Sequence, residues 1–319
     1  MTITIVMCQM QSHISDYFLD SNDFENVKDM KIDSFNIIKT RNGHPNEKYM
    51  FHVLKYEQSY NNLKTYFSSI ETRIPLNDPT ILPLTGFSYN DEKFSIIEPY
   101  MENGSLEKLI NECAKGVDVP NFETTRSIII FGIAAGMAYL HQNNIIHQNL
   151  NCQNILLDSE MHPKIGGFKP NRYLYNREKL IDVMLPPRIV FSISPEMFKE
   201  EAITNRTDVY SYSIILYQLF KFQYPCDKNI LRKFSLYMIE KDVTKGKRME
   251  INEDEIPNKW ADLIRQCWQN EQYERPRFIE IVKKLMDKKD EFFNDPKINQ
   301  EELSRYIDTV TRGLDFTRL

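Results

Sequence analysis

The sequence predicts an α+β fold in two lobes, a small β-rich lobe followed by a larger helical one. Two observations carry this expectation. Up to about residue 98 the apolar residues fall in short runs bounded by turn residues, and after the stretch MENGSL they take a helical period. The chain has 319 residues, 41% hydrophobic and 27% charged, which is enough for a sizeable core.

Residues 1–22 read as an N-terminal extension with one strand-like run at 2–7. The first lobe spans about 23–98, with strands in NVKDMKI, SFNII, KYMFHVLKY, TILPLTGFS and EKFSIIEPY. The turn Asn42-Gly43-His44-Pro45 separates the second strand from the third. A helix is expected over 58–74, because Leu63, Tyr66, Phe67 and Ile70 recur at i, i+3, i+4 and i+7 before Pro75 stops the run. The second lobe spans about 103–288, with helices over 106–113, 124–143, 208–222, 256–270 and 278–290. Residues 289–319 form a C-terminal extension whose patch SRYIDTVTRGLDF predicts one more helix.

Composition narrows the function. Net charge is −5, which speaks against nucleic acid as a partner. Five scattered cysteines, Cys8, Cys113, Cys152, Cys226 and Cys267, fit reduced thiols and a cytoplasmic location. No segment reaches the roughly 18 apolar residues of a membrane span. The nearest, residues 127–140, is shorter, holds two glycines and reads as a buried helix. TITIVMC has no basic residue before it and is too short for a signal peptide.

Residues 145–169, IIHQNLNCQNILLDSEMHPKIGGFK, decide the chemistry. They resemble the catalytic loop and magnesium loop of a protein kinase, H-R-D-x-K-x-x-N followed by D-F-G. His147 and Asn154 take the His and Asn places, and Phe168 takes the middle of D-F-G. Further motifs follow in the kinase order. Ser194-Pro195-Glu196 stands for Ala-Pro-Glu, and DVYSYSIILYQL resembles the central buried helix. CWQNEQYERPRF resembles the end of the helical lobe. The resemblance covers about residues 24–288 and is most like the tyrosine-kinase-like branch. It implies a two-lobe kinase-like fold, with Asp208 bonded to the catalytic-loop backbone and Arg275 paired with Glu196. It would give a nucleotide Lys55, Met101 and Asn154.

The departures matter more. Asn149 replaces the catalytic Asp, Gly167 the metal-binding Asp, and Asn151 the loop lysine. An amide has neither negative charge nor useful basicity. In a kinase the first acid accepts the substrate proton and the second holds magnesium. The phosphate loop should carry three glycines, yet residues 31–38 read KIDSFNII, and Asp33 adds a negative charge. Lys55 keeps the strand lysine, but Ser69 falls at the place of its helical Glu. Glu71, two residues on, points about 200° away. Val53 narrows the adenine roof. Glu98 falls at the gatekeeper place, where a buried carboxylate needs a partner such as Lys55. Arg73 takes an apolar place, Lys169 replaces the Gly of D-F-G, and Tyr173 and Tyr175 are candidate phosphorylation sites.

The expected function is therefore a kinase-like module without phosphotransfer, a pseudokinase, acting through a protein partner such as an active kinase. No catalytic residue, metal or cofactor is expected. The alternatives are an atypical Ser/Thr kinase with weak phosphotransfer, or an inactive nucleotide-binding switch; ATP and Mg enter only there.

Overall fold

The computed structural model describes residues 17–31, 36–53, 76–90, 93–167, 190–223 and 236–317. The expected strand at 2–7, the helix at 58–74 and residues 32–35 lie outside these. So do Lys55, Ser69, Glu71, Arg73, Phe168, Lys169, Tyr173 and Tyr175. The chain divides into two compact units, and the short stretch Asp78–Thr80 belongs to the second.

The first unit is a five-stranded antiparallel sheet. Its strands are β1 (Phe24–Lys31), β2 (Asn36–Arg41), β3 (His44–Val53), β4 (Gly86–Asn90) and β5 (Lys93–Pro99), in the order β1-β2-β3-β5-β4. Alternation puts Phe24, Phe51 and Ile97 into one core cluster, with Ile37 and Tyr49 packed against it. The Phe24 and Phe51 rings meet edge to face at 5.1 Å. Phe87 and Phe94 stack at 5.6 Å. Phe18 joins both, and the Leu19 N–H donates to the Phe87 carbonyl at 2.8 Å. The fourth strand starts later than the expected run at 80–88. Pro83 has no N–H for a ladder, and the Thr80 carbonyl is already taken by the Ile165 N–H at 2.7 Å.

In the second unit the described helices are α1 (Leu106–Ala114), α2 (Phe122–Gln142), α3 (Pro195–Phe198), α4 (Asn205–Lys221), α5 (Leu236–Thr244), α6 (Asn258–Cys267), α7 (Phe278–Asp287), α8 (Lys289–Phe292) and α9 (Gln300–Thr311). A two-stranded ribbon, β6 (Ile155–Leu157) with β7 (Pro163–Ile165), lies among them. α2 is apolar on all sides because it is wrapped on all sides. It packs against α4, α7, α9 and β7, and 15 of its 21 residues are buried. No helix among the described residues is long and apolar enough to cross a membrane.

α9 and the residues flanking it are clamped to both ends of α2. The Asn299 N–H donates to Thr124 Oγ1 at the start of α2, at 2.9 Å. At the other end the Gln142 side chain donates to the Asp315 carbonyl at 2.7 Å and accepts from the Asp315 N–H at 3.1 Å. Leu303, Tyr306, Ile307 and Val310 are buried between these clamps. Tyr306 fits only because residue 132 is glycine: a Cβ there would overlap the Tyr306 hydroxyl. That hydroxyl is buried with no hydrogen-bond partner, and burial pushes its pKa well up. An unmet buried hydroxyl costs about 1–3 kcal/mol. Tyr306→Phe should therefore raise stability, by about 1 kcal/mol, read as a higher urea midpoint with unchanged slope.

Candidate functional site: the loop after α2

The site grows from the end of α2. Asp208, in the first turn of α4, is fully buried and gathers the loop that follows α2. Its Oδ2 accepts from the His147 N–H at 2.9 Å and its Oδ1 from the Gln148 N–H at 2.7 Å. His141 Nε2, on α2 itself, lies 2.8 Å from Oδ2. The carboxylate also sits at a helix N-terminus, where negative charge is favoured.

His147 is buried, and its tautomer follows from its neighbours. Nδ1 accepts from the Asn149 N–H at 3.2 Å, so the proton is on Nε2, which donates to the Gly166 carbonyl at 2.9 Å. The ring thus ties the loop to residues 166–167. Around it lies a set of amides. Asn154 Nδ2 donates to the Asn149 carbonyl at 2.7 Å. Asn151 Nδ2 lies 2.9 Å from the same carbonyl and 3.1 Å from Asn149 Oδ1, while Asn151 Oδ1 accepts from the Gln153 N–H at 2.9 Å. Asn149 Nδ2 reaches the Gly167 carbonyl at 3.4 Å. The Gly166 N–H returns to the Asn154 carbonyl at 2.8 Å. Gly167 has φ of 74°, and a Cβ on it would overlap the Asn154 amide.

A divalent cation wants several oxygen donors, carboxylates first. Here the donors are neutral amides whose hydrogens already point inward. Among the described residues no three His, Cys, Asp or Glu side chains converge as a metal site. Among the described residues the loop 147–154 would offer a magnesium ion amides and carbonyls but no carboxylate side chain. The nearest acid in sequence, Asp158, is committed to the turn between β6 and β7. Its Oδ1 accepts from the Glu160 and His162 N–H groups at 3.0 and 2.9 Å, and Oδ2 lies 3.2 Å from Lys164 Nζ.

Farther off, Arg275 and Glu196 form a bidentate pair with both bonds at 2.8 Å. Arg275 is 0% exposed and Glu196 2%. Thr207 Oγ1 donates to the same carboxylate at 2.8 Å, and Arg275 also donates to the carbonyls of Gln269, Asn270 and Arg206. Burial pushes the Glu196 carboxyl up, but the bonds and charge of Arg275 outweigh burial and hold it below its ordinary value. Cys152 is inert: burial pushes its thiol up, and Sγ donates to Gln218 Oε1 at 3.1 Å.

In the first unit, Glu98 is buried on β5, with Oε2 3.1 Å from His52 Nε2 on β3. His52 Nδ1 lies 2.7 Å from Asn36 Oδ1 on β2, so a polar row crosses three strands. Glu98 faces Met50 in register, and His52 is its diagonal neighbour. Val53, opposite Ser95, and Met101, just after β5, are half-buried. Sequence reasoning missed His52 and His141. Each is a lone histidine among apolar residues, with no local sign of its acidic partner.

Comparison with known proteins gives concordant results. The model of the protein tyrosine and serine/threonine kinase family matches residues 20–285. RGS domain-containing serine/threonine-protein kinase A of Dictyostelium discoideum is 33% identical over 196 residues, covering 61% of this chain and 16% of that protein. Dual specificity protein kinase shkB of the same organism is 28% identical over 228 residues, 70% of this chain and 33% of its own length. The PR5-like receptor kinase of Arabidopsis thaliana is 29% identical over 252 residues, 73% of this chain and 37% of its own length. The chain thus spans between about a sixth and just over a third of these relatives.

Proposed function

We propose that this chain, which belongs to the protein tyrosine and serine/threonine kinase family, is a catalytically inactive member of its tyrosine-kinase-like branch. It works by protein contacts in the cytoplasm, and an active kinase is the first partner to test. The observation that carries this reading is the pair Asn149 and Gly167 in the loop after α2. Asn149 cannot take a hydroxyl proton, and general base catalysis is worth about 10²–10⁴-fold. Gly167 offers no carboxylate, and the space beside it is taken by the Asn154 amide. Lost charge stabilisation of the phosphoryl group adds to the deficit.

The relatives are named as kinases, and that favours a second reading, an atypical enzyme with weak phosphotransfer. A kinase assay on the purified protein beside Asn154→Ala decides between the two. No phosphate transfer by the parent is expected. Transfer by the parent that the variant loses would establish the second reading, and equal transfer by both would mark a contaminating kinase. A companion measurement addresses nucleotide binding. A ligand at 100 times its Kd stabilises a protein by about 2.7 kcal/mol. We expect no thermal shift with millimolar ATP and magnesium; a clear shift would favour an inactive nucleotide switch.

A further inference from the structure

We infer that Asn149, Asn154 and Gly167 form one coupled latch that holds the loop 147–154 to residues 166–167 without a metal. The departures at 149 and 167 are then two parts of one structural solution. Each member needs the others. Glycine at 167, in a left-handed conformation with φ of 74°, is what leaves room for the Asn154 amide. That amide, once seated, donates to the Asn149 carbonyl at 2.7 Å. Asn149 in turn donates to the Gly167 carbonyl at 3.4 Å, and the ring of contacts closes. An aspartate at 149 has no hydrogen to give at neutral pH, so it would set a charge against that carbonyl. Asn151 braces the arrangement with its two contacts to Asn149, at 2.9 and 3.1 Å. In a metal site, lone pairs converge on a cation; here amide hydrogens converge on carbonyls, so no charge needs neutralising.

The inference concerns the stability of the loop, so thermal melts test it while the kinase assay tests inactivity. In the full chain, Asn149→Asp should lower Tm by about 1–3 °C near neutral pH, the effect of losing one half-buried bond in a chain of this size. The introduced carboxyl faces a carbonyl, so its native pKa rises. Its destabilisation is absent below the ordinary Asp value of about 3.9 and grows as pH rises above it. The gap from the parent should therefore close in acid. Gly167→Ala should lower Tm further, and adding Asn154→Ala should cost less than the sum of the two single losses, because it removes the group that the new methyl strikes. If Gly167→Ala does not fold alone, folding regained in the Asn154→Ala background supports the latch, and continued failure there overturns it. Additive losses, or an Asn149→Asp melt equal to or above the parent at neutral pH, would also overturn it.

Discussion

Arg275→Ala is expected to destabilise the protein by about 3–5 kcal/mol, the range for breaking a buried ion pair by removing one partner. The surroundings explain the size. Arg275 is wholly buried, and its removal strands Glu196 at 2% exposure with only neutral donors, Thr207 and a backbone N–H, against it among the described residues. It also removes the bond that Arg275 gives to each of the carbonyls of Gln269, Asn270 and Arg206. Replacing both partners with apolar residues should cost much less than the single change, because no bare charge remains. The pH dependence carries a second signature. In the parent, Glu196 sits below its ordinary value, so the pair's contribution is complete above about pH 4.3 and is lost as pH falls through the lower native value. In Arg275→Ala the carboxyl keeps its burial and loses its counter-charge, so its native pKa rises and the sign reverses. The variant should lie closest to the parent in mild acid. Chemical denaturation of both proteins between neutral pH and pH 4 checks this. A variant within 1 kcal/mol of the parent at neutral pH would refute the role given to Arg275.

The second large effect is expected from ending the chain after Ile298. That deletion removes Leu303, Tyr306, Ile307, Val310 and Leu314 from the side of α2, while Phe292 and Phe293 stay packed on Trp260. Each buried apolar side chain is worth about 1.5–3 kcal/mol. Five of them, about 7.5–15 kcal/mol together, are comparable to the total stability of an ordinary domain, about 5–15 kcal/mol. The shortened chain should fail to give a cooperative melt and should associate through the bared face of α2. Circular dichroism melts and size-exclusion chromatography report both. A shortened chain that melts as the parent does would show that α9 merely rests on the surface. Gly132→Val gives a milder version, because it fills the notch that the Tyr306 hydroxyl needs.

The parts of the structure that were legible in the sequence share a physical cause. The change from alternating to helical periodicity near residue 100 follows from burial on one sheet face and then on helix faces. The five strands and the helices α1, α2, α4, α6 and α7 were all visible that way. The fourth strand was misplaced because TILPLT is apolar for another reason: Ile81 and Leu82 are buried outside the named strands, Ile81 with a single bridge only. α5 escaped notice. The loop after α2 was legible as a set of residue types, and the amide at Asn149 and the glycine at Gly167 could be read directly. Its internal bonding could not be. Nothing in HQNLNCQN says that Asn154 points at Asn149, because that depends on the left-handed backbone at Gly167, far along the chain. The same limit hid His141, which meets Asp208 across 67 residues.

The cover over β4 has a consequence for assembly. A sheet edge exposes unpaired N–H and C=O groups, which are a template for a strand from another molecule. On the β4 side, Leu19 takes the Phe87 carbonyl and Phe18 lays its ring over Phe87 and Phe94, so that template is already used by the chain's own backbone. Trimming the chain to begin at residue 20, where the family match begins, would strip this cover from two stacked phenylalanines and take the Leu19 N–H from the Phe87 carbonyl. Such a shortened protein would be prone to edge-to-edge association and would give a poor baseline for partner-binding experiments.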